Sequence, residues 1–116
     1  MTECYWSGGC TQCFGYKRNP KGKTYTGQFD LKERSDKFEI WSLKVIRRYR
    51  NKGYGTQMLT EFLSQFKPDK PLVLYVYKTN EIAIKLYEKV GFKITGDCYF
   101  TSEAYTMQYS RKEMTK

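Results

Sequence analysis

Residues 43–55 hold five cations, Lys44, Arg47, Arg48, Arg50 and Lys52, with no acidic residue and with glycines at 53 and 55. The segment behind them carries Met58, Leu59, Phe62, Leu63 and Phe66 at i, i+1, i+4, i+5 and i+8, the apolar face of a helix that Pro68 ends. The first N–H groups of a helix lack partners within it and lie at the positive end of its dipole, so an anion can be held there by backbone alone. Gly53 and Gly55 allow close approach, and the surrounding cations add a positive field. The chemistry expected is therefore capture of a phosphate-bearing ligand.

Two other glycine motifs do not fit. A dinucleotide fingerprint needs a third glycine at position 58, where Met58 stands. A Walker loop needs a glycine five residues before Gly22-Lys23-Thr24, but that position is Lys17, and Pro20 interrupts the loop. What remains is Arg50-x-x-Gly53-x-Gly55 after a strand that ends Leu43-Lys44-Val45. A second block, Asn80-Glu81-Ile82-Ala83-Ile84-Lys85-Leu86-Tyr87-Glu88-Lys89-Val90-Gly91-Phe92, follows a further strand. Over residues 37–110 the chain with these two blocks resembles the GNAT N-acetyltransferase superfamily.

The resemblance implies acetyl-CoA as acetyl donor and a primary amine as acceptor, joined by direct transfer. It implies a pyrophosphate cradle of Arg50, Asn51, Lys52, Gly53, Tyr54, Gly55 and Thr56, working largely through backbone N–H groups. Leu43, Lys44 and Val45 would meet the pantetheine arm with main-chain groups. Asn80 would bond the same arm, or serve only as N-cap of its helix, a role that asparagine favours. Tyr87 matches the family tyrosine that protonates the leaving thiolate; a phenol of pKa about 10 is a donor at neutral pH. The acceptor also needs a base, since a lysine amine of pKa about 10.4 is neutral only about once in 10³ molecules at pH 7. Glu39, eleven residues before Arg50, stands where the histone-acetyltransferase branch carries its glutamate base. Strand alternation puts Glu39 on one face with Trp41, Leu43 and Val45. The other reading of Glu39 is a solvated or cross-strand ion-paired residue.

The elements that must position these groups can be read from pattern. Phe14–Arg18 and Thr24–Glu33 read as strands joined by the turn Asn19-Pro20-Lys21-Gly22. Lys37–Val45 is a third strand and 56–66 a helix. Pro71–Tyr77 is a near-continuous apolar run, as in a central strand buried on both faces. Residues 80–90 form a short helix with Ile82, Ala83, Leu86, Tyr87 and Val90 inward, and Phe92–Phe100 with Ala104–Tyr109 close the sheet. The order β-β-β-α-β-α-β-β gives an α/β (α+β) fold, which the resemblance makes a mixed, mostly antiparallel sheet with helices packed on it. The family normally begins with an extra strand and one or two helices that shape the acceptor site. Tyr5–Cys13 does not read as a long helix, so an open acceptor cleft is expected. That suits a protein lysine or N-terminus, or a homodimer that supplies the missing wall.

Composition bounds the rest. The 116 residues fit one domain, 40% hydrophobic and 17% aromatic, with no run near the roughly 20 apolar residues of a membrane span. A cytoplasmic protein is expected, in a host cytoplasm if phage-encoded, as some very small family members are. The net charge of +9 asks for an anionic partner. Coenzyme A is one; nucleic acid, with 11 tyrosines for stacking, ranks last because no recognised nucleic-acid motif is present. A catalytically idle, CoA-binding interaction module is the main alternative to an enzyme. The chain has no histidine, which removes Ser-His-Asp and Cys-His schemes. Cys4, Cys10, Cys13 and Cys98 could form a zinc set, but free thiols and no metal are the expectation.

Overall fold

The computed structural model describes residues 2–7, 10–50, 52–66 and 69–110, apart from the side chains of Trp6, Ser7 and Cys10. Seven strands form one sheet: β1 (Thr2–Ser7), β2 (Cys10–Asn19), β3 (Gly22–Glu33), β4 (Phe38–Val45), β5 (Leu72–Tyr77), β6 (Phe92–Cys98) and β7 (Thr101–Tyr109). A 3-10 turn, Arg47–Tyr49, and helix α1 (Tyr54–Gln65) connect β4 to β5, and helix α2 (Glu81–Val90) connects β5 to β6. The strand order is β1-β2-β3-β4-β5-β7-β6, and every pairing is antiparallel except β4 with β5. The last hairpin folds back so that β7 lies between β5 and β6.

Both helices lie on one side of the sheet. Met58, Leu59, Phe62 and Leu63 of α1 and Tyr87 of α2 share a core with Phe29, Ile40, Leu72, Leu74, Val76, Phe92 and Met107. Phe29 is fully buried and meets Phe62 edge to face at 5.0 Å. Burying one such side chain contributes about 1.5–3 kcal/mol. In α2, Ala83, Ile84, Leu86 and Val90 pack on the core, but Ile82, expected inward, is 73% exposed. It sits in the first turn, off the stripe that the other five residues define.

Two further expectations are corrected, and the residues before Phe14, which do not read as a long helix, are strands: β1 is an edge strand on β2, which itself begins at Cys10. β1 and β2 are only two residues apart in sequence, which leaves no room for a helix between them. Cys4 and Cys13 are not free thiols; they are direct cross-strand partners and form a disulfide. That takes two of the four thiols of the zinc alternative, and Cys98 lies on β6 at the far edge of the sheet. Finally, β4 does not alternate along its whole length. Asp30 pairs with Trp41 but Gln28 with Lys44, so β4 carries one extra residue, a bulge in which Ser42 adopts φ 56°. The bulge reverses the faces. Glu39 and Trp41 stand opposite the helices, whereas Leu43 packs on the core and Val45 meets the helices at Gly55.

Candidate active site

The glycine turn behaves as its residues require. Gly53, the N-cap of α1, has φ 85°, a left-handed conformation that other residues rarely adopt, and no side chain caps the helix. The first helical hydrogen bond runs from the Gln57 N–H to the Gly53 carbonyl, so the N–H groups of Tyr54, Gly55 and Thr56 precede it. Gly55 is needed for packing. A Cβ there would sit 3.2 Å from Leu86 Cδ1 and 3.3 Å from Val45 Cγ2, where α1, α2 and β4 converge. Arg50 Nε donates to the Val45 carbonyl at 3.0 Å and ties the turn to the end of β4. Lys52 is exposed beside it, and Asn51 lies outside the described residues.

A cleft of about 220 Å³ lies between β4 and β5. The two strands pair only at Phe38–Ile40 with Leu72–Leu74 and then diverge, so the edge of β4 from Trp41 to Val45 has no β5 partner. Lys44 and Val45 remain paired to β3 at Gln28 and Gly27 on the other edge. One wall of the cleft is Ile40, Trp41, Ser42 and Leu43; the other is Leu74, Tyr75, Val76 and Tyr77; Asn80 and Tyr87 close it from α2. Leu43, Leu74, Val76 and Tyr87 belong to the helix side, while Trp41 and Tyr75 belong to the other. The divergence is thus a window through the sheet.

Asn80 Oδ1 accepts from the Ala83 N–H at 3.2 Å, so it is the N-cap of α2 and also lines the window. The two roles expected as alternatives are compatible. Tyr87 is buried, and burial raises its pKa, so its phenol keeps its proton. The structure brings Leu43, Asn80 and Tyr87 to one cleft.

Glu39 stands apart. Its side chain is 1% exposed and does not line the window itself. Oε1 accepts from Arg34 Nε at 2.9 Å and Trp41 Nε1 at 2.7 Å; Oε2 accepts from Tyr75 Oη at 2.7 Å, with Lys37 Nζ at 3.8 Å. Burial alone would raise its pKa, but the bonds from Trp41, Tyr75 and Arg34 outweigh it and hold the carboxyl below its usual value. Tyr75 moves the other way, raised by burial and then by its bond to Glu39. Trp41 and Tyr75 are the site residues that the sequence reading missed, with Phe100 and Tyr99 packed around them at 5.5–5.7 Å between ring centres. A signal existed: Tyr75 lies two residues beyond Val73, the position that pairs with Glu39, and so shares its face.

The residues present fit a coenzyme A diphosphate: N–H groups before the first helical bond, a glycine where a Cβ would crowd its neighbours, and uncompensated cations beside both. The acetyltransferase (GNAT) family model matches residues 9–92. A spermine/spermidine N(1)-acetyltransferase of Bacillus subtilis (strain 168) is 26% identical over 107 residues, spanning 79% of this chain and 69% of the relative. Among solved structures, a mutant spermidine N-acetyltransferase from Vibrio cholerae aligns with TM-score 0.67 at 16% identity, over 87% of this chain and 65% of that one. Arabidopsis thaliana NAA60, in complex with a bisubstrate analogue, aligns with TM-score 0.65 at 18% identity, over 89% of this chain and 77% of that one. These two show the fold alone; the family match rests on the sequence, and with it the chain belongs to the acetyltransferase (GNAT) family, the acetyl-CoA-dependent N-acetyltransferases.

Proposed function

We propose that this chain acetylates a primary amine that enters the window from the helix-free face of the sheet. The carrying observation is that β4 and β5 part after Ile40 and Leu74 and leave a window lined from the helix side by Leu43, Leu74, Val76 and Tyr87 and from the other side by Trp41 and Tyr75. Bound acetyl-CoA supplies an activated acetyl thioester. The N–H groups of Tyr54, Gly55 and Thr56 bind its diphosphate, and the unpaired main-chain edge at Leu43–Val45 orients the arm. Tyr87, protonated in its buried site, is the donor for the departing sulfur. Among the described residues no cysteine lines the window, which favours direct transfer over an acyl-enzyme.

Glu39 takes the proton at one remove. Tyr75 lines the window and its Oη already donates to Glu39, so its oxygen can accept from the incoming amine as its own proton passes to the carboxylate. A carboxylate with a lowered pKa is a weak base, so the relay should contribute near the lower end of the about 10²–10⁴-fold typical of general base catalysis. Lys32 over Trp41, Lys37 over Tyr99 and Arg34 on Glu39 make the rim positive. A nearby like charge lowers the pKa of an entering amine and enlarges its neutral fraction.

Charge also bears on the acceptor. A positive rim on a chain of net charge +9 suits an amine presented by an acidic protein surface, a lysine or an N-terminus. A free polyamine is the second reading, favoured by the 26% identity to the Bacillus subtilis relative. Mass spectrometry of acetyl-CoA reactions with an acidic lysine peptide, a free-N-terminus peptide and spermidine tests both. Acetylated peptide with little acetylspermidine is expected; the reverse would select the polyamine reading. No product at all, with coenzyme A bound, would mean an idle binding module.

A further inference from the structure

Lys23, Arg34, Lys37, Lys70 and Lys78 each have a carboxylate partner. The other described cations have none, Lys32, Lys85, Lys89 and Lys93 among them; of these others, Arg47, Arg48 and Lys52 fall within the seven residues before Tyr54, and Lys17 reaches the same segment from another strand. Lys17 is not a neighbour in sequence: β2 carries it there, with Nζ 5.0 Å from the centre of the Tyr49 ring. Tyr49 in turn meets Tyr54, the first residue of α1, edge to face at 5.3 Å. A cation over a ring is attracted by the ring quadrupole and loses part of its freedom. The pair therefore holds an ammonium group beside the cradle with no counter-charge of its own.

The backbone N–H groups of the cradle already answer a diphosphate. The side-chain cations are then in excess by more than the diphosphate needs, and coenzyme A carries one more phosphate, on the 3′ position of its ribose. We infer that Lys17, held by Tyr49 and supported by Arg47 and Arg48, is a separate binding site for that 3′-phosphate. It lets the chain distinguish coenzyme A from its 3′-dephospho form. The inference rests on coenzyme A as the ligand of the cradle.

Calorimetry of the full chain with coenzyme A and with 3′-dephospho-coenzyme A tests it. A charge-assisted phosphate contact should make coenzyme A bind about tenfold tighter. Lys17→Gln should abolish most of that preference and leave the dephospho affinity unchanged, which also reports that the variant is folded. Tyr49→Leu should weaken the preference in the same direction, and Lys85→Gln, on α2, should preserve it. Equal binding of both ligands by the unmodified chain, or a preference that survives Lys17→Gln, overturns the 3′-phosphate site alone. If neither ligand binds, the cradle falls with it.

Discussion

The two mouths of the window are built on opposite electrostatic plans. At the head of α1, cations and N–H groups gather with no acidic residue in the helix's first turn, so an anion from outside completes the region. On the other face, one buried carboxylate gathers Arg34, Trp41, Tyr75 and Lys37, and the network closes on itself. The first arrangement binds from outside; the second fixes geometry from inside. Substitutions at the first should therefore appear in ligand affinity, and those at the second in stability and turnover.

Tyr87, which sits between the two mouths, should give the largest effect. Tyr87→Phe is expected to lower kcat by about 10²-fold, the lower end of general acid catalysis, with little change in KM. Steady-state kinetics decides it, and a change confined to KM would assign Tyr87 to packing. Gly55→Val comes next. Its added methyl groups meet Leu86 and Val45, so a loss of about 1–3 kcal/mol from overpacking is expected, with coenzyme A affinity falling alongside the melting temperature.

Glu39→Gln should cost about 1–2 kcal/mol of stability, since Arg34 is 46% exposed and part of its interaction is screened. The sign with pH follows from the lowered pKa. Ionised Glu39 stabilises the fold fully above its unfolded pKa of about 4.3, and this is lost as pH falls through its folded value. Denaturant titrations between neutral and acid pH should show a smaller acid loss in Glu39→Gln; parallel curves would deny the network that role. The smallest effect is expected at Asn80→Ala, about 1 kcal/mol from the lost cap. A kcat/KM change beyond that stability loss would separate its window role from its capping role.

The features legible beforehand are local ones. The hairpin turn Asn19–Gly22 joins β2 to β3 as its residues demand, and Gly22 has φ 131°. The helix expected at 56–66 spans Tyr54–Gln65, and the one at 80–90 spans Glu81–Val90 behind its Asn80 cap. Each depends on neighbours within a few residues. β1 was not legible because it pairs with Cys10–Gly15, most of which precedes the strand expected at Phe14–Arg18, and Glu39 was assigned a face by an alternation that the bulge at Ser42 breaks.

By itself, then, the sequence determined the glycine turn, both helices and the family, because capping, glycine freedom and apolar periodicity act over one or two turns of chain. Tertiary structure alone decided the rest. The insertion of β7 beside β5, the bonds from Arg34 and Tyr75 to Glu39, the Cys4–Cys13 bond and the placing of Lys17 over Tyr49 all join residues on separate strands or loops. Such contacts follow from strand register, and register is set only when the whole sheet packs against its helices.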